Sequence, residues 1–428
     1  MEAAPLPDLA TALADLGHLM HARDGGTLGV IAFAVLPSPE LYRLPPESMH
    51  RLRTAIVGRL REHLRRNDRL YVLGQREWLL VLPALPGAGA LPLAMRKLDR
   101  AFREAAPSID GLRLHLRTAC GGALFPDDGS DALHLVQSAR IARLQADREG
   151  LPGCRYEPRF EETDAATQAL DAELRRAFTN DPGLQLHLQP QVDARDGRCV
   201  GVEALLRWQR ASGEWVPPAT ILAAIERTGL RPHFNRWLFL KAAQASRRLT
   251  DAGFSLRLSI NLAAADLLEP ETPDLLFQAL ATWDVSPASI QIEITETGMV
   301  QEAQGALAVL REMDRRGLHL SIDDFGTGFS SMSYLRTLPV REIKIDQGFV
   351  RDLPQAGTER EITESIVRLG QRLGLEVVAE GVERAEIAAA LLAMGCHRQQ
   401  GLHYSPARPL DDLLDWLATT GGSGAPVR

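Results

Sequence analysis

Apolar positions in this chain fall into short alternating runs, the period of strands, separated by stretches with apolar residues three and four apart, the period of helices. Asp8 can cap a helix whose Leu9, Leu13, Leu16 and Met20 share one face, ending near Asp24-Gly25-Gly26; such a helix can pack on its own domain or dimerise. There follow a predicted strand over Leu28 to Leu36, a break at Pro37, Pro39, Pro45 and Pro46, a helix from about Ser48 to Arg65, and a hairpin over Arg69 to Pro83 that turns at Gly74-Gln75-Arg76-Glu77. Helical residues 88–105, a strand through Leu112 to Leu124, the turn Phe125 to Gly129 and a helix to Arg148 complete a small α/β domain with a central sheet. Residues 159–183 read as a linker helix, stopped by Asn180-Asp181-Pro182-Gly183. From Leu184 to Leu417 strands and helices alternate over roughly 230 residues, the size and rhythm of a (β/α)8 barrel, and 418–428 reads as a flexible tail.

The barrel strands end in polar residues. Val202 leads to Glu203, Ile260 to Asn261, Ile292 to Glu293, Ile322 to Asp323 and Asp324, Ile343 to Lys344 with Asp346 beyond it, Ala379 to Glu380, and Gln399 to Gln400. The C-terminal ends of parallel barrel strands share one rim, so carboxylates, an amide and an amine are expected to meet there. Oxygen ligands without Cys or His favour Mg²⁺ or Mn²⁺ over zinc, and so many acids favour two ions. Two ions beside a lysine suit phosphodiester hydrolysis, because they can clamp the attacking and leaving oxygens while the ammonium meets the developing charge. Taken singly, Asp323-Asp324 also reads as a solvated turn, and each Glu or Lys as a rim salt bridge.

Composition narrows the classes. At 45% hydrophobic and 24% charged, the chain carries enough apolar material for two or three domains. A formal charge of −7 provides no global basic field for DNA, RNA or an anionic membrane. Cys120, Cys154, Cys199 and Cys396 are scattered without metal-ligand spacing, which favours a reducing, cytoplasmic setting. No apolar run approaches the length of a membrane helix, and the N-terminus has no signal-peptide pattern.

Residues 26–158 resemble the GGDEF, or diguanylate cyclase, domain in degenerate form, after an N-terminal helix over 1–25. The turn reads Gly74-Gln75-Arg76-Glu77-Trp78, and Arg76 stands where the family places a metal-binding acid; the strand IAFAVL also lacks its acid. A guanidinium cannot act as a carboxylate ligand, so no cyclase activity is expected, and the domain is expected to be regulatory, with GTP as a candidate ligand. Arg65 and Asp68 stand at the RxxD spacing of an inhibitory site in some relatives, and equally at that of a surface ion pair.

Residues 184–417 closely resemble the EAL-domain phosphodiesterases that linearise cyclic di-GMP. Glu203-Ala204-Leu205-Leu206-Arg207, SINLA at Asn261, IEITET from Glu293, IDDFGTGFSS, IKID, VVAEGVE and Gln400-Gly401 carry the likeness in order. The resemblance implies conversion of cyclic di-GMP to linear pGpG with two Mg²⁺ or Mn²⁺ ions. It implies Glu203, Asn261, Glu293 and Asp323 as ligands of one ion, and Asp323, Asp324, Asp346 and Glu380 around the other. Lys344 would contact the catalytic water, with Glu203, Glu380 and Glu296 in the catalytic set. Gln189, Leu205, Arg207, Glu383 and Gln400 are implied substrate contacts. Glu296 would brace the loop after Asp324, which carries Gly326 and Gly328 and lies at the family's homodimer interface. Leu402 departs from the pattern, which has an aromatic after Gln-Gly. The alternative is a receptor that holds cyclic di-GMP without turnover.

Overall fold

The computed structural model describes residues 6–21, 27–38, 41, 44–104, 107–109, 112–114, 116–180, 183–269, 271–327, 335, 337–353 and 357–420, without the side chains of 112–113, 179–180, 268 and 297–305. Residues 328–331 of the expected interface loop, Gly328 among them, and the tail from 421 lie outside them. The chain forms two compact units, Met1–Ala169 and Leu170–Arg428.

In the first unit, helix α1 (Leu9–His21) precedes strand β1 (Thr27–Val35), α2 (Pro46–His63), the hairpin β2 (Arg69–Val72) and β3 (Glu77–Leu85), α3 (Ala90–Glu104), β4 (Thr118–Phe125), α4 (Ala132–Arg148) and β5 (Gly153–Arg155). The sheet order is β2-β3-β1-β4-β5, antiparallel except for β4 with β5. Alternation explains why β1 is apolar throughout. Ile31 and Phe33 face the α2 and α3 side with Leu52, Ile56 and Leu98, whereas Val30 and Ala32 face α1 and α4 with Leu16 and Ala139. Ala12 and Leu16 of α1 are fully buried in that second cluster, so the helix packs on its own domain. The strand expected over Leu112 to Leu124 is two pieces, a short ribbon of Ser108–Ile109 with Leu112–Arg113 and the separate β4. Gly121 is required where α4 crosses β4, since a Cβ there would lie 2.0 Å from the Arg143 nitrogen. Asp68 accepts the Arg65 backbone N–H at 2.8 Å, so its carboxylate closes a turn.

A 22-residue helix, α5 (Arg159–Asn180), leads into the barrel. The barrel comprises β6 (Leu184–Asp193), β7 (Arg198–Gln209), β8 (Arg257–Asn261), β9 (Ile290–Thr295), β10 (His319–Phe325), β11 (Glu342–Ile345), β12 (Glu376–Ala379) and β13 (Arg398–Gln400). Its helices include α6 (Pro218–Thr228) and α7 (Arg231–Asp251) before β8, α8 (Thr272–Thr282) before β9, α9 (Glu296–Arg315) before β10, α10 (Thr358–Leu373) before β12, α11 (Ala385–Ala393) before β13, and α12 (Leu410–Thr419) at the end. Strands β7 to β13 run parallel, and β6 closes the ring by pairing antiparallel with both β7 and β13. The expected eight-stranded barrel forms with one departure: β6 and β7 join by a hairpin, so the first strand runs antiparallel to its neighbours.

The barrel is apolar outside and polar inside. Val202, Leu258, Ile260, Ile292, Leu320, Ile343 and Ile345 pack outward against the helices in one core. The alternate positions Gln191, Ser259, Gln291, Ser321 and Glu342 are equally buried but face the axis, where an ordinary barrel stacks branched aliphatics. Three of them are joined: Gln291 Nε2 donates to Ser259 Oγ at 3.2 Å and to Glu342 Oε1 at 2.5 Å, and Arg257 donates to Gln291 Oε1 at 3.3 Å. Burial pushes the Glu342 carboxyl above its usual range, with Lys344 and Arg398 opposing.

In the first unit the buried carboxylate Asp128 accepts the Leu124 N–H at 2.9 Å and two bonds from the Arg155 guanidinium, each 3.0 Å. Asp128→Ala should lower the midpoint of urea unfolding for this unit, at a cost of about 2–3 kcal/mol, because a buried N–H and a guanidinium lose their acceptor. An unchanged urea denaturation curve would contradict this role.

Candidate active site

Register brings the strand ends together. Glu203 on β7 lies beside Ser259 on β8, Asn261 beside Glu293 on β9, and Thr295 beside Asp323 on β10. At the centre stands Lys344 of β11, fully buried. Its Nζ lies 2.5 Å from Glu380 Oε1, 2.6 Å from Glu293 Oε2, 3.1 Å from Glu203 Oε2 and 3.3 Å from Asp323 Oδ1.

Asp323 and Asp324 are sequence neighbours, and in a regular strand their side chains would point to opposite faces. The β10–β11 pairing slips between Ile322 and Phe325, and Asp324 takes φ +53°, a left-handed value that aspartate tolerates. That irregularity brings both acids to one side. Oxygens of Asp323, Asp324 and Glu380 lie within 4.8 Å of one another. Asp346 caps the single turn Gln347–Val350 by accepting the Gly348 N–H at 2.9 Å, and its carboxyl also faces Asp324.

Electrostatics follow from six carboxylates around one ammonium. Burial works against the charged lysine, but Glu203, Glu293, Glu380 and Asp323 outweigh it and hold Lys344 well above its ordinary pKa. Glu203 is held below the usual range although burial opposes this, because Lys344, Gln400 and Asn261 all donate to it. Among the described residues Glu293 receives only the lysine, and burial drives it well above its usual range. Burial and the neighbouring acids also push Glu380 up to about 8 and Asp324 up to about 6.

Such a set fits a hard divalent cation. Every acid and amide offers oxygen, and among the described residues Glu293 Oε1 and Asp323 Oδ1 are buried and accept no hydrogen bond, Asp323 Oδ1 having only the 3.3 Å ion pair with Lys344. The upward shifts of Glu380 and Asp324 come from burial first, and then from negative charge that one ammonium leaves uncompensated.

Amides complete the wall. Asn261 Nδ2 donates to Glu203 Oε1 at 2.7 Å, and Gln400 Nε2 donates to Glu203 Oε2 at 2.6 Å and to Gln189 Oε1 at 3.1 Å. Gln191, which sequence reasoning missed, donates to Gln400 Oε1 at 3.1 Å and so orients that amide. The signal was present as a second glutamine two residues after Gln189. Gly201 leaves room for it, since a Cβ there would lie 2.8 Å from Gln191 Oε1. Glu296 is buried at the start of α9 and accepts the Gly326 N–H at 2.8 Å, directly after the bulge. Leu205 and Arg207 continue β7 above Glu203, half-buried, and the Arg207 Nη1 donates to the Leu206 carbonyl at 2.9 Å. Among the described residues Arg207 has no carboxylate partner. Glu383 is exposed after β12 and, among the described residues, makes no hydrogen bond to the cluster.

A profile of the EAL domain family matches residues 171–407. The bifunctional diguanylate cyclase/cyclic di-GMP phosphodiesterase MucR of Pseudomonas aeruginosa is 32% identical over 365 residues, covering 85% of this chain and 53% of that protein. The cyclic di-GMP phosphodiesterase PA2567 of the same organism is 31% identical over 401 residues, covering 92% of this chain and 67% of that protein. The chain thus spans between half and two thirds of the length of these relatives. Among solved structures, the PaMucR phosphodiesterase in complex with c-di-GMP is similar with a TM-score of 0.55 at 34% identity, covering 57% of this chain and 99% of that one. The match takes in every strand of the barrel and each acid around Lys344, and the chain belongs to the EAL domain family.

Proposed function

We propose that this protein is a divalent-metal-dependent phosphodiesterase that adds water across one phosphodiester P–O bond of cyclic di-GMP, giving linear pGpG. The observation that carries the reading is the buried Lys344 ammonium ringed by four carboxylates, with Asp323, Asp324 and Glu380 converging beside it. Glu203, Asn261, Glu293 and Asp323 are suited to hold one Mg²⁺ or Mn²⁺ ion, and Asp323, Asp324, Asp346 and Glu380 a second. Bound ions of this kind supply Lewis-acid activation of a water and neutralise the phosphate. Lys344 reaches the same centre, where its ammonium can hold the attacking water and meet charge building on the phosphoryl oxygens. The Arg207 fork is suited to a phosphate, and Gln189 and Gln400 offer amides on the same wall.

We read the first unit as a degenerate GGDEF-like domain with a regulatory role. Glu77, the acid left in its turn, is held by Arg140 at 3.0 Å and Arg143 at 3.3 Å, which removes it from metal ligation.

Purified protein with cyclic di-GMP and Mg²⁺ or Mn²⁺ should release pGpG, resolved by chromatography, and a chelator should stop it. Asn261→Ala should lower kcat at least about a hundredfold. No product with either ion, and no difference from Asn261→Ala, would sink the reading.

Glu296→Ala should reduce turnover about tenfold or more while Mn²⁺ binding, followed by calorimetry, stays near wild type, because Glu296 holds the Gly326 backbone and no ion. Wild-type turnover in this variant would remove the bracing role.

Metal affinity should also rise with pH. Glu380 and Asp324 carry protons below about 8 and about 6, and an entering ion must displace them. Mn²⁺ binding should therefore weaken by up to about tenfold per unit as pH falls from 8 towards 6. A flat titration over that range would contradict the assignment of Glu380 as a ligand.

A further inference from the structure

Strand β7 continues six residues past Glu203 to Gln209, so the hairpin with β6 rises above the rim. Its two faces differ in character. Leu206 and Trp208 join an apolar cluster with Leu174, Ile221 and Ile225. By alternation Leu205, Arg207 and Gln209 project from the opposite face, the one that carries Glu203.

Two rings meet on that face. His187 of β6 lies directly opposite Leu205, and Trp215, on a two-residue strand at the other edge of β7, lies directly opposite Gln209. Directly opposed residues share a face. The imidazole and indole therefore reach over β7 from both sides, and their centroids lie 5.6 Å apart at 73°. The indole is nevertheless 47% exposed, an unusual fate for the largest apolar side chain. Edge-on contact with His187 fixes the orientation of the ring without covering it.

From Glu203 the strand places Leu205 about 7 Å away and Arg207 about 13 Å away. A guanidinium that has no carboxylate partner among the described residues and an oriented aromatic thus share the hairpin face that carries Glu203. A nucleotide offers the complementary pair, an anionic phosphate and a flat π-surface, and stacking requires no base-edge hydrogen bonds.

We propose that Trp215, braced by His187, is a stacking platform for one purine base of the cyclic dinucleotide, beside Arg207. The inference rests on the phosphodiesterase reading for its ligand. Trp215→Ala should raise the KM for cyclic di-GMP roughly tenfold or more, with kcat within about twofold, and Trp215→Phe should restore most of the loss. Calorimetric binding of cyclic di-GMP should weaken in parallel, and far-UV circular dichroism of both variants should match wild type. A wild-type KM in Trp215→Ala, alongside normal turnover, would overturn the platform and leave the phosphodiesterase reading intact. Absence of turnover in the wild type would instead remove the phosphodiesterase reading. The platform would then stand only if Trp215→Ala still weakened calorimetric binding, and wild-type protein that neither turns over nor binds would overturn both.

Discussion

Burying an ammonium inside a barrel costs several kcal/mol unless charge and hydrogen bonds surround it, and Lys344 is surrounded by four carboxylates within 3.3 Å. The rest of the barrel accommodates this arrangement. A charged centre excludes the usual aliphatic filling, so the layer beneath it is built from Ser259, Gln291, Ser321 and Glu342. Stability is then carried by the outward face of the same strands, where Ile260, Ile292, Leu320 and Ile343 meet the helices. Fold and chemistry occupy alternate residues of each strand.

Two departures from a regular barrel build the site. The bulge at Asp324 turns adjacent acids to the same side, which regular pleating forbids. The reversed first strand puts Gln189 opposite Glu203 and Gln191 opposite Gly201, so one wall is a ladder of amides that fixes Glu203 without adding charge. Glu203 consequently stays ionised while Glu293, with fewer donors, is pushed up. The same antiparallel pairing puts Arg207, His187 and Trp215 on the hairpin face that bears Glu203.

In the first unit the charges that could suggest chemistry are tied into structure. Asp128 holds Arg155 and a backbone N–H, Glu77 holds Arg140 and Arg143, and Asp68 closes a turn.

Much of this was legible in the order of residues. Period-two apolar runs ending in Glu203, Asn261, Glu293, Asp323, Lys344 and Glu380 announce a barrel rim, because alternation and strand ends are local properties of the chain. The hairpin of the first unit and the α5 helix were readable for the same reason. Tertiary structure alone decided which way β6 runs, how Asp324 joins Asp323, and that Gln191 orients Gln400, since each depends on a partner strand far away in sequence. It also decided that Glu383 stays exposed while Trp215, an ordinary residue after a glycine turn, meets His187 across an intervening strand. Local pattern fixes the face a side chain takes along its own strand; only closure of the sheet determines what that face meets.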